Sequence, residues 1–168
     1  PAYAAMAPRL GARAVPVAED NGTFDGWPQA VAEAITPRTR AVVLSSPSNP
    51  TGATLTEGQA RSLVELCRGS NIRLICDEAY IEFSGQATAP GLPAVFDPGR
   101  RTVVQVRSAS KSWALCGWRI GWATADADLA ARIAARHSAL LNPASGPAQE
   151  ALTSLPQVPD NYLVNARG

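Results

Sequence analysis

Short apolar runs alternate along the chain with stretches whose apolar residues recur at helical spacing. Ala41-Val42-Val43-Leu44 is continuously apolar, the pattern of a strand buried on both faces. Ile72 to Cys76 reads as a second strand, ended by Asp77-Glu78. Thr102 to Val106 reads as a third and Arg119 to Ala123 as a fourth, and the brief run Ala14 to Val17 is also expected as strand. Between them, Asp25 before Trp27-Pro28 predicts a helix over 28–35, because proline is favoured in a first helical turn, and Pro37 stops it. Thr56 and Gln59 have capping-box spacing, and Leu63, Val64, Leu66 and Cys67 line one face of the helix they open. Gly69 sits where that helix is expected to end. Asp126 is placed to cap an Ala-rich helix that Pro143 closes. Residues 84–100 are rich in Gly and Pro and read as a long connection.

Strands alternating with helices predict parallel βαβ units, hence an α/β layered domain with a mostly parallel sheet. In open sheets of this kind, ligands sit beyond the carboxyl ends of the strands. The loops leaving those ends hold the unusual residues: Asn49, Asp77, Ser108 and Lys111. The chain shows no internal repeat and no low-complexity linker.

The composition supports a packed domain. With 168 residues, 46% hydrophobic and 17% charged, the chain can bury one ordinary core. A net charge of +1 gives no field favouring nucleic acid or an anionic membrane. No apolar run approaches the roughly 20 residues that span a bilayer. The opening residues carry no basic segment followed by an apolar one, so a reducing cytoplasm is the expected setting. Cys67, Cys76 and Cys116 are odd in number and widely spaced, with one His, which argues against a disulfide framework and a zinc site; the thiols are expected to be buried or inert. A first residue other than Met and an ending in Asn-Ala-Arg-Gly suggest a piece of something longer. His137, in a helical stretch without an evident partner, reads as structural, and Trp113, Trp118 and Trp122 read as core packing.

Among fifteen cations, fourteen are Arg and one is Lys, Lys111. Arg stays protonated, whereas a desolvated amine can lose its proton and act as nucleophile or base. Lys111 lies in Ser108-Ala109-Ser110-Lys111-Ser112-Trp113, among small and apolar neighbours. An exposed loop lysine is the plain alternative, since Arg bias also follows from codon usage. Ser108 and Ser110 precede it, and Arg119 follows in Gly117-Trp118-Arg119-Ile120-Gly121. Hydroxyls plus a planar guanidinium suit a phosphate group, although each serine alone is more often a turn residue.

Asp77 directly follows a buried strand, with Tyr80 three residues on. A carboxylate there needs a cation or a donor, and a protonated pyridine nitrogen would satisfy it; a capping or exposed Asp is the alternative. In Ser45-Ser46-Pro47-Ser48-Asn49-Pro50-Thr51-Gly52, two prolines and a glycine rigidify a loop that presents the Asn49 amide. A plain turn would have the same composition.

Taken together, Ser-Asn-Pro-Thr-Gly at 48–52, Asp-Glu-Ala-Tyr at 77–80, and Ser-Ala-Ser-Lys followed by Gly-Trp-Arg-Ile-Gly at 108–121 closely resemble the class I/II aminotransferases, fold-type I pyridoxal-phosphate enzymes. The similarity covers nearly the whole chain, including Arg38-Thr39-Arg40-Ala41-Val42 ahead of the asparagine loop. The resemblance implies a three-layer α/β/α large domain, of which residues 1–168 would form the central part. It implies pyridoxal 5'-phosphate as cofactor, amino acid and 2-oxo acid as substrates, and a homodimer. Lys111 would hold the cofactor as a Schiff base and then shuttle the proton between substrate α-carbon and cofactor C4′. Asp77 would pair with the ring nitrogen. Asn49 and Tyr80 would meet the ring's phenolic oxygen, and Ser108, Ser110 and Arg119 the phosphate. No metal, nucleic acid or membrane partner is implied.

The family's phosphate-binding glycine segment and ring-stacking aromatic would lie upstream, and its carboxylate-binding Arg downstream. The chain alone is therefore expected to carry the cofactor anchor without the substrate clamp and not to turn over. Cys116 replaces a residue that is often small or aliphatic in the family, with no effect on the cofactor expected. Asp77 to Phe83 looks more like the histidinol-phosphate branch than the aspartate branch. A fold-type I decarboxylase or lyase would show the same cofactor residues. A regulator's sensor domain usually lacks the intact asparagine and aspartate segments, and an inactive interaction domain fits poorly with intact Lys111, Asp77 and Arg119.

Overall fold

The computed structural model describes residues 2–18, 22–84, 97, 99, 101–141, 143–154, 157 and 162. Strands β1 (Ala41–Ser45), β2 (Arg73–Asp77), β3 (Val103–Ser108) and β4 (Gly121–Thr124) form one sheet in that spatial order. The first three run parallel, and β4 returns antiparallel to β3. Ser45 pairs with Asp77 and Asp77 with Val106, so the carboxyl ends of the parallel strands form one rim. Helices α1 (Ala2–Met6), α2 (Trp27–Ala34), α3 (Glu57–Gly69), α4 (Ala109–Ser112), α5 (Ala127–Leu140) and α6 (Gly146–Thr153) accompany the sheet. The α/β class with a mostly parallel sheet is therefore the observed one.

Local signals account for most of these boundaries. Pro28 lies in the first turn of α2, and Ile35 is extended at φ −69°, ψ 136° two residues before Pro37. The Thr56 hydroxyl accepts from Gln59 N at 3.3 Å while Gln59 returns its carbonyl to Thr56 N at 2.8 Å, the reciprocal cap of α3. Leu63, Val64 and Cys67 of α3 are fully buried, against Trp27 and Val31 of α2, Leu44, Leu74, Cys76 and Val103 of the sheet. Asp126 caps α5 by accepting from Leu129 N at 3.1 Å.

Several expectations are corrected. Ala14 to Val17 has no regular secondary structure; Val17 packs on the core and its carbonyl accepts from the Trp27 indole at 3.1 Å. β1 is buried on one face, not two: Leu44 is buried while Val43 is 37% exposed. The reason is position, since β1 is the edge strand and α2 and α3 cover only the Leu44 face among the described residues. Helix α3 does end at Gly69, as expected, and the left-handed residue beyond it is Asn71, at φ 52°, a residue type that tolerates that conformation. Trp118 and Trp122 are 49% and 37% exposed; only Trp113 packs, against a small cluster of Ala109, Ile120 and Ala148. His137 lies exposed on α5, which buries none of its residues.

Of the 84–100 connection, residues 85–96 lie outside the described residues, as do 163–168. At its described end, buried Asp97 accepts from Thr102 N at 2.7 Å and Val103 N at 2.8 Å, fixing the start of β3. Among the described residues, no helix is long and apolar enough to cross a membrane, and no cluster of His, Cys, Asp and Glu suits a metal ion.

Candidate active site

Three loops leave the carboxyl rim of β1, β2 and β3, and the sequence-selected residues sit on them. The loop after β1 is tied to its neighbour from the start, because Ser46 N donates to Asp77 O at 3.0 Å. Within that loop, Ser48 N donates to Ala53 O at 2.7 Å and Gly52 N to Ser48 O at 2.8 Å. This closed turn projects Asn49, whose amide donates to the Tyr80 hydroxyl at 3.3 Å. Tyr80 stands just beyond β2, and Lys111 Nζ lies 5.9 Å from the centre of its ring, within the range of a cation–π contact. Asn49, Tyr80 and Lys111 are thus brought together from three separate loops.

Lys111 belongs to α4, a single turn started by Ser108. The Ser108 hydroxyl accepts from Ser110 N at 3.1 Å, and Ser110 and Ser112 are buried beneath the lysine. Ser112 donates to Glu82 at 2.6 Å, pinning α4 to the short 3-10 helix Ile81–Ser84 that follows Tyr80. Lys111 itself is exposed, so the desolvation expected from its apolar sequence neighbours is not provided by the described residues. Those neighbours, Ala109 and Trp113, face the small cluster below rather than the amine.

Arg119 adopts the left-handed conformation at φ 52°, is exposed, and donates from Nη1 to Cys116 O at 3.2 Å. Cys116 in turn donates its thiol to Ser110 O at 2.8 Å. Ser110 and Arg119 are therefore linked through Cys116, which is exposed. Of the three thiols expected to be buried or inert, Cys116 is therefore the exposed one, and it lies between Ser110 and Arg119. Cys67 and Cys76 are buried as expected. Burial pushes the Cys67 thiol up to about 11, and burial, then the charge of Glu78, then Cys67 raise that of Cys76.

Gly121 holds this corner to the sheet. It pairs with Ser108 across β3 and β4, and a Cβ on it would stand 2.5 Å from the Arg107 carbonyl oxygen. Only glycine permits that approach.

Asp77 closes β2, half-buried. Its Oδ1 accepts from Ala79 N at 3.1 Å, and its Oδ2 accepts from the hydroxyl of Tyr3 in α1. Sequence reasoning missed Tyr3, and no local signal would have found a partner so far away in the chain. It also missed Glu78, only 2% exposed, whose oxygens accept from Gln105 Nε2, both at 3.1 Å, and from Arg107 Nε at 2.9 Å. Here a signal existed: with Asp77 opposite Val106, the next residues are Glu78 and Arg107, of opposite charge. The bonds satisfy a carboxylate that burial would otherwise penalise.

With the geometry in view, the comparisons are direct. The family model described as aminotransferase class I and II matches residues 1–162, and the chain belongs to that family. It is 43% identical over 136 residues to the arginine–pyruvate transaminase AruH of Pseudomonas aeruginosa, covering 78% of this chain and 33% of that protein. It is 34% identical over 154 residues to a probable N-succinyldiaminopimelate aminotransferase, DapC, of Mycobacterium tuberculosis, covering 91% and 38% respectively. The solved aspartate aminotransferase from Thermus thermophilus with maleate superposes with a TM-score of 0.85 at 29% identity, covering 98% of this chain and 44% of that one. The chain thus spans between a third and under half of the length of these relatives.

Proposed function

We propose that this chain supplies the cofactor-anchoring part of a pyridoxal-phosphate-dependent aminotransferase, which moves an amino group from an amino acid to a 2-oxo acid. The observation that carries the reading is the meeting of Asn49, Tyr80 and Lys111, with Asn49 3.3 Å from the Tyr80 hydroxyl and Lys111 Nζ 5.9 Å from its ring centre. Family membership and relatives named as transaminases support it. We read residues 1–168 as the central portion of the large domain, in keeping with their 33% to 44% coverage of the relatives above. A homodimer in the cytoplasm completes the proposal; large apolar residues left exposed, such as Leu140 at 77%, are in keeping with further contacts.

The donor set fits the cofactor. Asn49 and Tyr80 would meet its phenolic oxygen, Asp77 its ring nitrogen, and Lys111 its aldehyde. Ser108, Arg119 and Ser110 would meet its phosphate. When bound, the cofactor supplies a carbonyl carbon for amine exchange and a cationic ring that withdraws electrons from the neighbouring carbon. Asp77 would offer the ring nitrogen a carboxylate, a partner that favours its protonated form. Lys111 Nζ would be the amine that takes a proton from the substrate α-carbon and later returns one, a single group serving as base and then acid. Asn49 and Tyr80 would hold the ring's phenolic oxygen from one side and so limit how the ring can turn.

Borohydride reduction after incubation with pyridoxal phosphate tests the reading. A stable pyridoxyl adduct on Lys111, found by peptide mass spectrometry and lost in Lys111→Ala, is expected. No adduct, or one on the terminal amine alone, rejects it.

A further inference from the structure

The place of Lys111 Nζ is set by the backbone beneath it. The amine is exposed, and its contact with the Tyr80 ring, 5.9 Å to the centre, lies at the outer edge of the cation–π range. That backbone is α4, a single turn, and one turn is too short to hold its own conformation. Ser108 caps its start by accepting from Ser110 N at 3.1 Å. Its end is held from another segment. Ser112, next to the lysine and 1% exposed, donates its hydroxyl to Glu82 Oε2 at 2.6 Å, the length of a charge-assisted bond. Glu82 lies two residues beyond Tyr80, in the 3-10 turn where Phe83 N donates to Tyr80 O at 2.9 Å and Ile81 N to Glu78 O at 3.1 Å. The residue beside the amine is thus joined to the turn of its facing ring across 30 positions of chain.

We propose that Glu82 and Ser112 are positioning residues for Lys111: their hydrogen bond holds the turn that carries the amine against the turn that follows Tyr80. Neither side chain has to touch the cofactor. The start of α4 is anchored separately, because Ser108 pairs with Gly121 in the sheet. Loss of the Glu82 bond therefore frees the lysine end of the turn and leaves the Ser108 end in place. Nζ stands at the tip of a flexible four-carbon stem, so a small tilt of α4 is enlarged at the amine. With Ser112 buried, water does not take over the bond when its hydroxyl is removed. The consequence is specific: capture of an aldehyde by Lys111 suffers, while the hold on a phosphate does not.

The inference rests on the proposed cofactor reading, and its test separates the two. The protein as expressed from its gene is titrated with pyridoxal phosphate and with pyridoxine phosphate, which carries an alcohol in place of the aldehyde. Only the aldehyde condenses with an amine, releasing water. Ser112→Ala is expected to weaken binding of pyridoxal phosphate by about ten-fold, the scale of one hydrogen bond to a charged group, and to leave the affinity for pyridoxine phosphate unchanged. In a Lys111→Ala background the same substitution is expected to have no further effect. Glu82→Gln keeps the shape and loses the charge; it should show the same split in smaller measure, and it carries the test where Ser112→Ala does not fold. Equal losses for both ligands mean that the pair only supports the local fold, and they overturn the positioning role. An unchanged affinity for pyridoxal phosphate, or a full further loss in the Lys111→Ala background, overturns it as well. If the unsubstituted protein binds neither ligand, the cofactor reading itself fails.

Discussion

The Asn49 amide reaches across two loops to donate to the Tyr80 hydroxyl at 3.3 Å. Both side chains would meet one oxygen of the cofactor, so their effects are shared rather than separate. Asn49→Ala and Tyr80→Phe are each expected to weaken pyridoxal-phosphate binding, and the double variant to lose less than the sum. A coupling of about 0.5–1.5 kcal/mol, the net value of one hydrogen bond, should emerge from a double-mutant cycle of cofactor titrations. Strict additivity would mean that the two residues meet different parts of the ligand.

Glu78 and Arg107 form a 2.9 Å ion pair in which the glutamate side chain is 2% exposed and the arginine 24%. Removing the arginine strands a buried charge, which costs about 3 kcal/mol in pairs of this kind. Arg107→Ala should therefore lower the urea midpoint strongly. Glu78→Leu combined with Arg107→Leu should be milder than Arg107→Ala alone, because no charge is left behind. A single variant as benign as an ordinary surface substitution would contradict the burial of Glu78.

Gly121→Ala places a methyl 2.5 Å from the Arg107 carbonyl, too close for either backbone to keep its position. Overpacking of this sort costs roughly 1–3 kcal/mol, read as a fall in thermal midpoint. Because Gly121 pairs with Ser108, the shift should also weaken retention of the cofactor phosphate. A variant with unaltered melting would show that β3 and β4 can separate freely.

Alkali should unfold the chain earlier than its ordinary acids suggest. Burial raises the Cys67 thiol from its usual 9.0 to about 11, and Cys76 and Tyr3 are raised as well. In each case the folded chain keeps a proton that the unfolded chain releases. Stability is therefore undiminished below pH 9.0 and falls as the pH climbs towards about 11, with the sign set by proton linkage. Urea midpoints followed from neutral pH upward check this, and Cys67→Val should flatten part of the decline. A midpoint insensitive to alkali would place the thiols in water.

The residues of the proposed site were legible because they sit at strand ends, where short motifs fix both residue type and loop. Asn49, Asp77, Ser108 and Lys111 all fell on the same rim once β1, β2 and β3 were paired in parallel. Helix boundaries were equally readable at Thr56 and Pro28, where capping acts over three or four residues. The single-sided burial of β1 and the exposure of Trp118 and Trp122 were not, since an apolar residue carries no record of which neighbours cover it.

Sequence alone determined the order of α2, β1, α3, β2, β3, β4 and α5, the family, and the residue types of the proposed site, because these depend on neighbours within a few positions. Tertiary structure decided that Tyr3 reaches Asp77, that Glu78 is paired with Arg107 and hydrogen-bonded by Gln105, and that Lys111 faces Tyr80 while remaining open to solvent. Those facts turn on pairings between distant segments, and hydrogen-bond and charge partners are chosen by distance in space. No periodicity along the chain encodes that distance.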